Sequence, residues 1–353
     1  MSRTILITAG GTGGHVFPGL AVADAMRDAG WRVVWLGAKT GMEARLVPAR
    51  GYEMAWVRAA ALRGKGVLAA LLLPLYLLIG FWQSARAILA HQPDVVLGLG
   101  GYVAFPGGMM ASLLARPLAV HEQNAIAGLT NRILAGVADR VMVAFPGTLK
   151  NAEWTGNPVR AEIARIPAPD ERFANRAGPL RLLVVGGSLG AQALNDAVPK
   201  ALAEWPLHER PQVVHQSGEK HLESLRASYA AAGVEGELLP FIDDMARRYA
   251  EADLVICRAG AITIAELSTA GMASVLVPFP HAVDDHQSAN AAFLAERGAA
   301  VALPQGELSP ARLAALVRSM DRATLLEMAR KARALGKPEA ARTVAERCME
   351  LAR

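Results

Sequence analysis

Short apolar runs alternate along this chain with longer stretches that carry apolar residues at helical spacing. Ile5–Thr8, Arg32–Leu36, Val95–Leu97, Leu118–Val120 and Arg140–Val143 read as buried strands. Phe17–Ala29 and Ile126–Ala135 read as helices between them. This is the βαβ rhythm of a parallel sheet. Residues 156–179 are rich in proline and charge and read as a linker. The rhythm then restarts with Arg181–Val185, Gln212–His215, Glu237–Leu239, Leu254–Cys257, Ser274–Val277 and Ala300–Ala302. Pro310–Arg353 reads as helical, with a break at "LGKP", 335–338. The expected organisation is α/β: one Rossmann-like half over 1–157 and a second over 158–335. A closing helix over 336–353 is expected to fold back on the first half. Ligands of such sheets bind beyond the carboxyl ends of the strands, so the two halves are expected to share one cleft.

One run breaks the rhythm. "VLAALLLPLYLLIGFW", Val67 to Trp82, has no charged residue and carries Pro74 near its middle. It is shorter than the roughly 20 residues a membrane-spanning helix needs. It reads either as a buried core helix or as a helix resting in a bilayer surface. In the second case Arg58, Arg63, Lys65 and Arg86 would meet anionic headgroups. Apolarity on every side favours the surface reading.

Composition narrows the class. A chain of 353 residues favours two domains, and 52% hydrophobic residues supply ample core. Two cysteines, Cys257 and Cys348, make no disulfide or metal framework and suit a reducing cytoplasm. The start "MSRTILITAGG" enters a strand at once, so no signal peptide is expected. A net charge of +5 suits an anionic partner. The basic residues are scattered and match no nucleic-acid motif, so nucleic acid is not that partner.

The chemistry sits just after the strands. "AGGTGGHVFPG" crowds Gly10, Gly11, Gly13 and Gly14 before His15. The spacing fails the dinucleotide fingerprint, and no acid ends the second strand to hold a ribose. What remains is a strand, a glycine loop and a helix N-terminus able to take a phosphate. His15, at the loop's exit, is a candidate general base, a role histidine side chains suit near neutral pH. "LGGYVAFPGG" (99–108) and "VVGGSLGAQALN" (184–195) repeat the strand–glycine pattern, and three such loops argue for more than one phosphate-bearing ligand. In "VICRAGAITIAELSTAG" (255–271), Thr263 and Glu266 share a helical face. They read either as a capping box or as a diphosphate site with Glu266 on ribose hydroxyls. "HEQNAIAGLTN" (121–131) and "HAVDDHQSAN" (281–290) supply polar walls, and the latter suits sugar hydroxyls better than a metal.

Taken together, "GGTGGHVFPGLAVA", "GLGGYVAFPGG", "HEQNAIAGLTNR", "GNPVR", "GGSLGAQALN", "RAGAITIAEL" and "HAVDDHQSANA" resemble the MurG glycosyltransferases of peptidoglycan synthesis. The likeness covers essentially the whole chain. It implies a GT-B fold, two Rossmann-like domains with parallel sheets facing a central cleft. It implies inverting transfer of N-acetylglucosamine from UDP-GlcNAc to the 4-hydroxyl of the muramoyl sugar of lipid I, giving lipid II, with no metal or cofactor. Carried over, Thr12, Gly13, Gly14 and Asn124 approach the donor sugar, and Arg160 and Ser188 contact the nucleotide. Ile242 meets the uracil region. Ala261, Ile262, Thr263, Ile264, Ala265 and Glu266 hold the diphosphate and ribose, with Gln287, or His286 after a one-residue slip, on the sugar. His15 is the candidate base, and Gly13, Gly14, His15, Gly100, Gly101 and Tyr102 face the acceptor diphosphate. The resemblance also implies a peripheral place on the cytoplasmic face of the inner membrane, with cell-wall synthesis and division proteins as further partners. A UDP-sugar 2-epimerase and a nucleotide-binding scaffold are the competing functions.

Overall fold

The computed structural model describes residues 3–58, 73–187 and 190–352. The chain forms two compact units, Met1–Arg160 with Pro338–Arg353, and Ala161–Lys337.

The first unit holds a sheet of seven parallel strands: β1 (Thr4–Ala9), β2 (Arg32–Gly37), β3 (Glu53–Trp56), β4 (Val95–Gly100), β5 (Leu118–Glu122), β6 (Arg140–Val143) and β7 (Glu153–Trp154). Their spatial order is β3-β2-β1-β4-β5-β6-β7. Helices cover both faces, so the central strands are apolar throughout rather than alternating. β1 and β4 are buried at every position. The edge strands β3 and β7 are short and mix acidic residues with tryptophan, which hid them from a search for apolar runs. Helix Gly13–Asp28 begins four residues before its expected start, and the helix expected from Ile126 begins at Leu129.

The second unit repeats the architecture with β8 (Arg181–Val185), β9 (Gln212–Gln216), β10 (Glu237–Leu239), β11 (Leu254–Cys257), β12 (Ser274–Leu276) and β13 (Val301–Ala302). They lie parallel in the order β10-β9-β8-β11-β12-β13. In both units the winding reverses after the first strand, between β1 and β4 and between β8 and β11. Such a switch point opens a crevice at the carboxyl ends of the strands.

The expected linker needs correction. Residues 161–179 belong to the second unit and hold helices Ala161–Ala164 and Pro169–Phe173. Pro169 opens its helix at the first position, where its missing N–H costs nothing. Arg172 is buried, and its guanidinium donates to the carbonyls of Pro167 and Ala270 at 3.1 and 3.0 Å. Proline and charge, read as solvent-facing, are here structural. The breaks fall after Arg160 and after Lys337, a few residues beyond those expected. Gly336 stays with the second unit, since a Cβ there would lie 2.7 Å from the Ser268 carbonyl oxygen. The final helix, Ala340–Leu351, buries Val344, Ala345 and Cys348 in the core of the first unit with Ile5, Val16 and Leu97.

Candidate active site

In the first unit the loop leaving β1 is shaped by a residue not singled out from the sequence. Glu43 is buried, and its carboxylate accepts from the N–H groups of Gly11 and Ala38, each at 3.1 Å. A Cβ on Gly10 would stand 2.5 Å from its Oε1. Gly101, at φ +82°, admits no Cβ either, because it would strike the Gly10 carbonyl oxygen. Gly10 of the first glycine loop and Gly101 of the second are thus set by close approach. With the Gly11 N–H taken, the dinucleotide reading fails a third time.

Thr12 caps helix Gly13–Asp28 in extended geometry without a side-chain bond, and its carbonyl accepts from the N–H groups of His15 and Val16. The His15 ring then reaches across to the loop after β5. Its Nδ1 is 2.8 Å from Oε1 of Gln123. Gln123 donates from Nε2 to the His121 carbonyl at 2.9 Å and to His121 Nδ1 at 3.1 Å. His121 Nε2 in turn donates to the Gly156 carbonyl at 2.9 Å. His121 and Gln123 are completely buried, and burial pushes the His121 pKa down to about 4, against a smaller upward pull from its bond to Gly156. Glu122 turns the other way and accepts from the N–H groups of Asn124 and Gly128 and from Asn131 Nδ2 at 2.8, 3.1 and 2.9 Å. Tyr102 is exposed beside Gly100 and Gly101.

In the second unit the loop after β8 carries Gly187 and Gly190 at φ +84° and +78°. Ser188 lies outside the described residues. Asn195 is buried and ties this loop to the next, donating to the Ser217 carbonyl at 3.2 Å and accepting from His215 Nε2 at 3.1 Å. Burial drives the His215 pKa down to about 3.

Helix Ala261–Ala270 follows β11 and is capped by Gly260, with no side-chain cap bond. Its first intrahelical bond runs from Ile264 N to Gly260 O, which frees the Ala261, Ile262 and Thr263 N–H groups at the helix start from intrahelical pairing. The capping-box reading is therefore excluded: Thr263 stands inside the first turn and Glu266 in the second. Glu266 is buried, and Tyr249 donates to its Oε2 at 3.3 Å. Burial, with the Glu266 charge adding to it, pushes the Cys257 thiol up to about 12, which keeps it protonated. Arg258 donates to the Val277 carbonyl at 3.1 Å and to Gln305 Oε1 at 2.7 Å, joining this loop to those after β12 and β13. Gln287 accepts the Phe279 N–H at 2.9 Å. Asp284 and Asp285 precede its helix at φ +53° and +52°, a left-handed pair that L side chains rarely adopt. Ile242, after β10, is buried.

The apolar run resolves only in part. Val67–Leu72, Arg63 and Lys65 lie outside the described residues. Helix Leu73–His91 carries the rest. Ser84 and Ile88 are buried, while Leu75, Leu78, Trp82 and Leu89 are exposed, at steps of three, four and seven residues along one stripe. Arg86 lies 5.9 Å over the Trp82 ring. Phe81 packs edge-on against Phe105 at 5.8 Å. Among the described residues, no helix is long and apolar enough to cross a membrane.

Comparison with known proteins identifies the family. Residues 5–143 match the N-terminal domain model of glycosyltransferase family 28, and residues 181–345 match its C-terminal domain model. A relative from Aromatoleum aromaticum is 67% identical over 99% of this chain and 98% of its own. One from Dechloromonas aromatica is 62% identical over the full length of both. Each bears the name UDP-N-acetylglucosamine–N-acetylmuramyl-(pentapeptide) pyrophosphoryl-undecaprenol N-acetylglucosamine transferase. The crystal structure of MurG from Acinetobacter baumannii is 42% identical, superposes with a TM-score of 0.86 and covers 99% of each chain. This chain belongs to the MurG family of glycosyltransferases. The fold is therefore GT-B, with two Rossmann-like α/β domains.

Within the MurG frame, the first unit gathers Thr12, Gly13, Gly14, His15, Gly100, Gly101, Tyr102 and Asn124 at the carboxyl ends of β1, β4 and β5, with Arg160 at that unit's end. The second gathers Ala261 to Glu266 and Gln287 after β11 and β12. The residues that sequence reading missed are Glu43, Gln123 and Tyr249. None lies in a glycine motif, and only Gln123 stood in a run flagged as polar.

Proposed function

We propose that this chain transfers N-acetylglucosamine from UDP-N-acetylglucosamine to the muramoyl 4-hydroxyl of undecaprenyl-diphospho-N-acetylmuramoyl-pentapeptide, lipid I, forming lipid II with inversion at the anomeric carbon. The observation that carries this reading is two-thirds identity, over nearly all of both chains, to a transferase of that name.

In this reading the acceptor oxygen attacks C1 of the donor sugar. The bond from C1 to the UDP oxygen breaks, and its electron pair leaves with UDP. His15 takes the acceptor proton on Nε2. The N–H groups of Ala261, Ile262 and Thr263 and the positive end of their helix stabilise the departing diphosphate, assisted by Arg160 and Ser188. Glu266 accepts from ribose hydroxyls, Ile242 lines the uracil region, and Gln287, Asn124 and Thr12 address the sugar. Gly13, Gly14, Gly100, Gly101 and Tyr102 receive the acceptor. The exposed stripe Leu75, Leu78, Trp82 and Leu89, with Arg86 beside it and Arg58 before the helix, rests on the cytoplasmic face of the membrane.

The test is an incubation with UDP-N-acetylglucosamine, with and without a short-chain lipid I analogue. The disaccharide product with a β linkage is expected only when acceptor is present. Conversion of the donor to its 2-epimer without acceptor would point to epimerisation instead. His15→Ala should lower kcat by about 100-fold or more while UDP affinity stays within about twofold. Near-normal turnover would remove His15 as the base.

A further inference from the structure

We propose that Gln123 is a positioning residue that holds the proton of neutral His15 on Nδ1 and so presents a lone pair on Nε2. This rests on the reading of His15 as base. A neutral imidazole carries one proton, and only the bare nitrogen can accept another. Free imidazole side chains in water favour the proton on Nε2, the wrong tautomer for a base that works through Nε2. The protein must reverse that preference.

The hydrogen-bond chain does so with little freedom. Gln123 Nε2 lies 2.9 Å from the His121 carbonyl oxygen, which can only accept, so that end of the amide must be the NH2 group. The other end, Oε1, can only accept, and it lies 2.8 Å from His15 Nδ1, which must therefore donate. The same NH2 group is 3.1 Å from His121 Nδ1, which must accept. His121 is then protonated on Nε2, and that nitrogen faces the Gly156 carbonyl at 2.9 Å. A backbone carbonyl thus pins the amide, and a second closes the far end of the chain. His121 is fully buried and held neutral by burial, which keeps its Nδ1 an acceptor. Gly100, at φ +103°, brings its backbone against the His15 ring: a Cβ there would stand 3.0 Å from Cε1 and 3.1 Å from Nδ1. No described residue takes up Nε2.

The experiment is long-range proton–nitrogen NMR on the full chain with 15N-histidine, His15 being assigned by its loss in His15→Gln. Wild type should show His15 bare at Nε2 and protonated at Nδ1. Gln123→Leu should shift the ring towards the opposite tautomer and lower kcat about tenfold or more, with KM for UDP-N-acetylglucosamine within about twofold. A wild-type His15 protonated on Nε2 overturns the proposal, whether or not the variants fold. So does a Gln123→Leu enzyme with unchanged tautomer or unchanged kcat. The tautomer result is independent of turnover by His15→Ala, so failure of the base reading is seen separately.

Discussion

The carboxylate of Glu43 accepts the Gly11 N–H at 3.1 Å, 32 residues back along the chain. It holds Ala38 N–H with its other oxygen. One buried acid therefore pins the loop on which Thr12 and His15 are carried. Glu43→Ala strands two N–H groups and should cost about 2–4 kcal/mol in urea unfolding. A cost below about 0.5 kcal/mol would show that the loop holds itself.

Glu266 is buried under the Tyr249 hydroxyl at 3.3 Å, which orients the carboxylate. Glu266→Ala should weaken UDP binding about tenfold or more by calorimetry, about 1.4 kcal/mol. Tyr249→Phe should weaken it less. Unchanged UDP affinity in Glu266→Ala rejects the ribose role.

Leu75, Leu78 and Trp82 are exposed, and none belongs to a buried core cluster of the described residues. Replacing all three with serine should abolish co-sedimentation with anionic vesicles and leave the melting temperature within a few degrees. Ile88→Ser, on the buried side of the same helix, should instead lower it by roughly 5 °C or more. Equal vesicle binding by the triple variant would move the membrane contact elsewhere. Phe81 is unsuitable for this test because it packs on Phe105.

His121 and His215 have their pKa values lowered by burial to about 4 and about 3. The unfolded chain binds these protons near the ordinary value of about 6.5, so stability is intact above that pH and falls as pH drops towards 4. At pH 5 each histidine should remove about 2 kcal/mol relative to pH 8. Urea unfolding at the two pH values measures the sum. A flat profile would mean that both rings are charged in the folded protein at pH 5, and half the expected loss would mean that one is.

Most of the central strands were legible because a parallel sheet covered on both faces makes its inner strands continuously apolar. The edge strands Glu53–Trp56 and Glu153–Trp154 were not, since an edge mixes polar and apolar residues. The linker failed for a related reason: Arg172 and Pro169 look solvent-facing until carbonyls from other elements are seen around the guanidinium. Composition alone does not separate a solvated charge from one satisfied by distant backbone.

Local pattern and motif spacing, then, determined the two α/β halves, the loops that carry chemistry and the family. These follow from periodicity and from glycine positions that neighbours in sequence reveal. The tertiary structure decided why the glycines stand where they do, with Glu43 and Gly101 closing on Gly10 from residues 33 and 91 positions away. It also decided that Thr263 and Glu266 are not a capping box, since the helix starts at Ala261. And it decided what faces His15, because Gln123 lies 108 residues further along the chain and meets the ring only when β1 and β5 join one sheet. Hydrogen bonds act over about 3 Å, and only folding brings such partners that close.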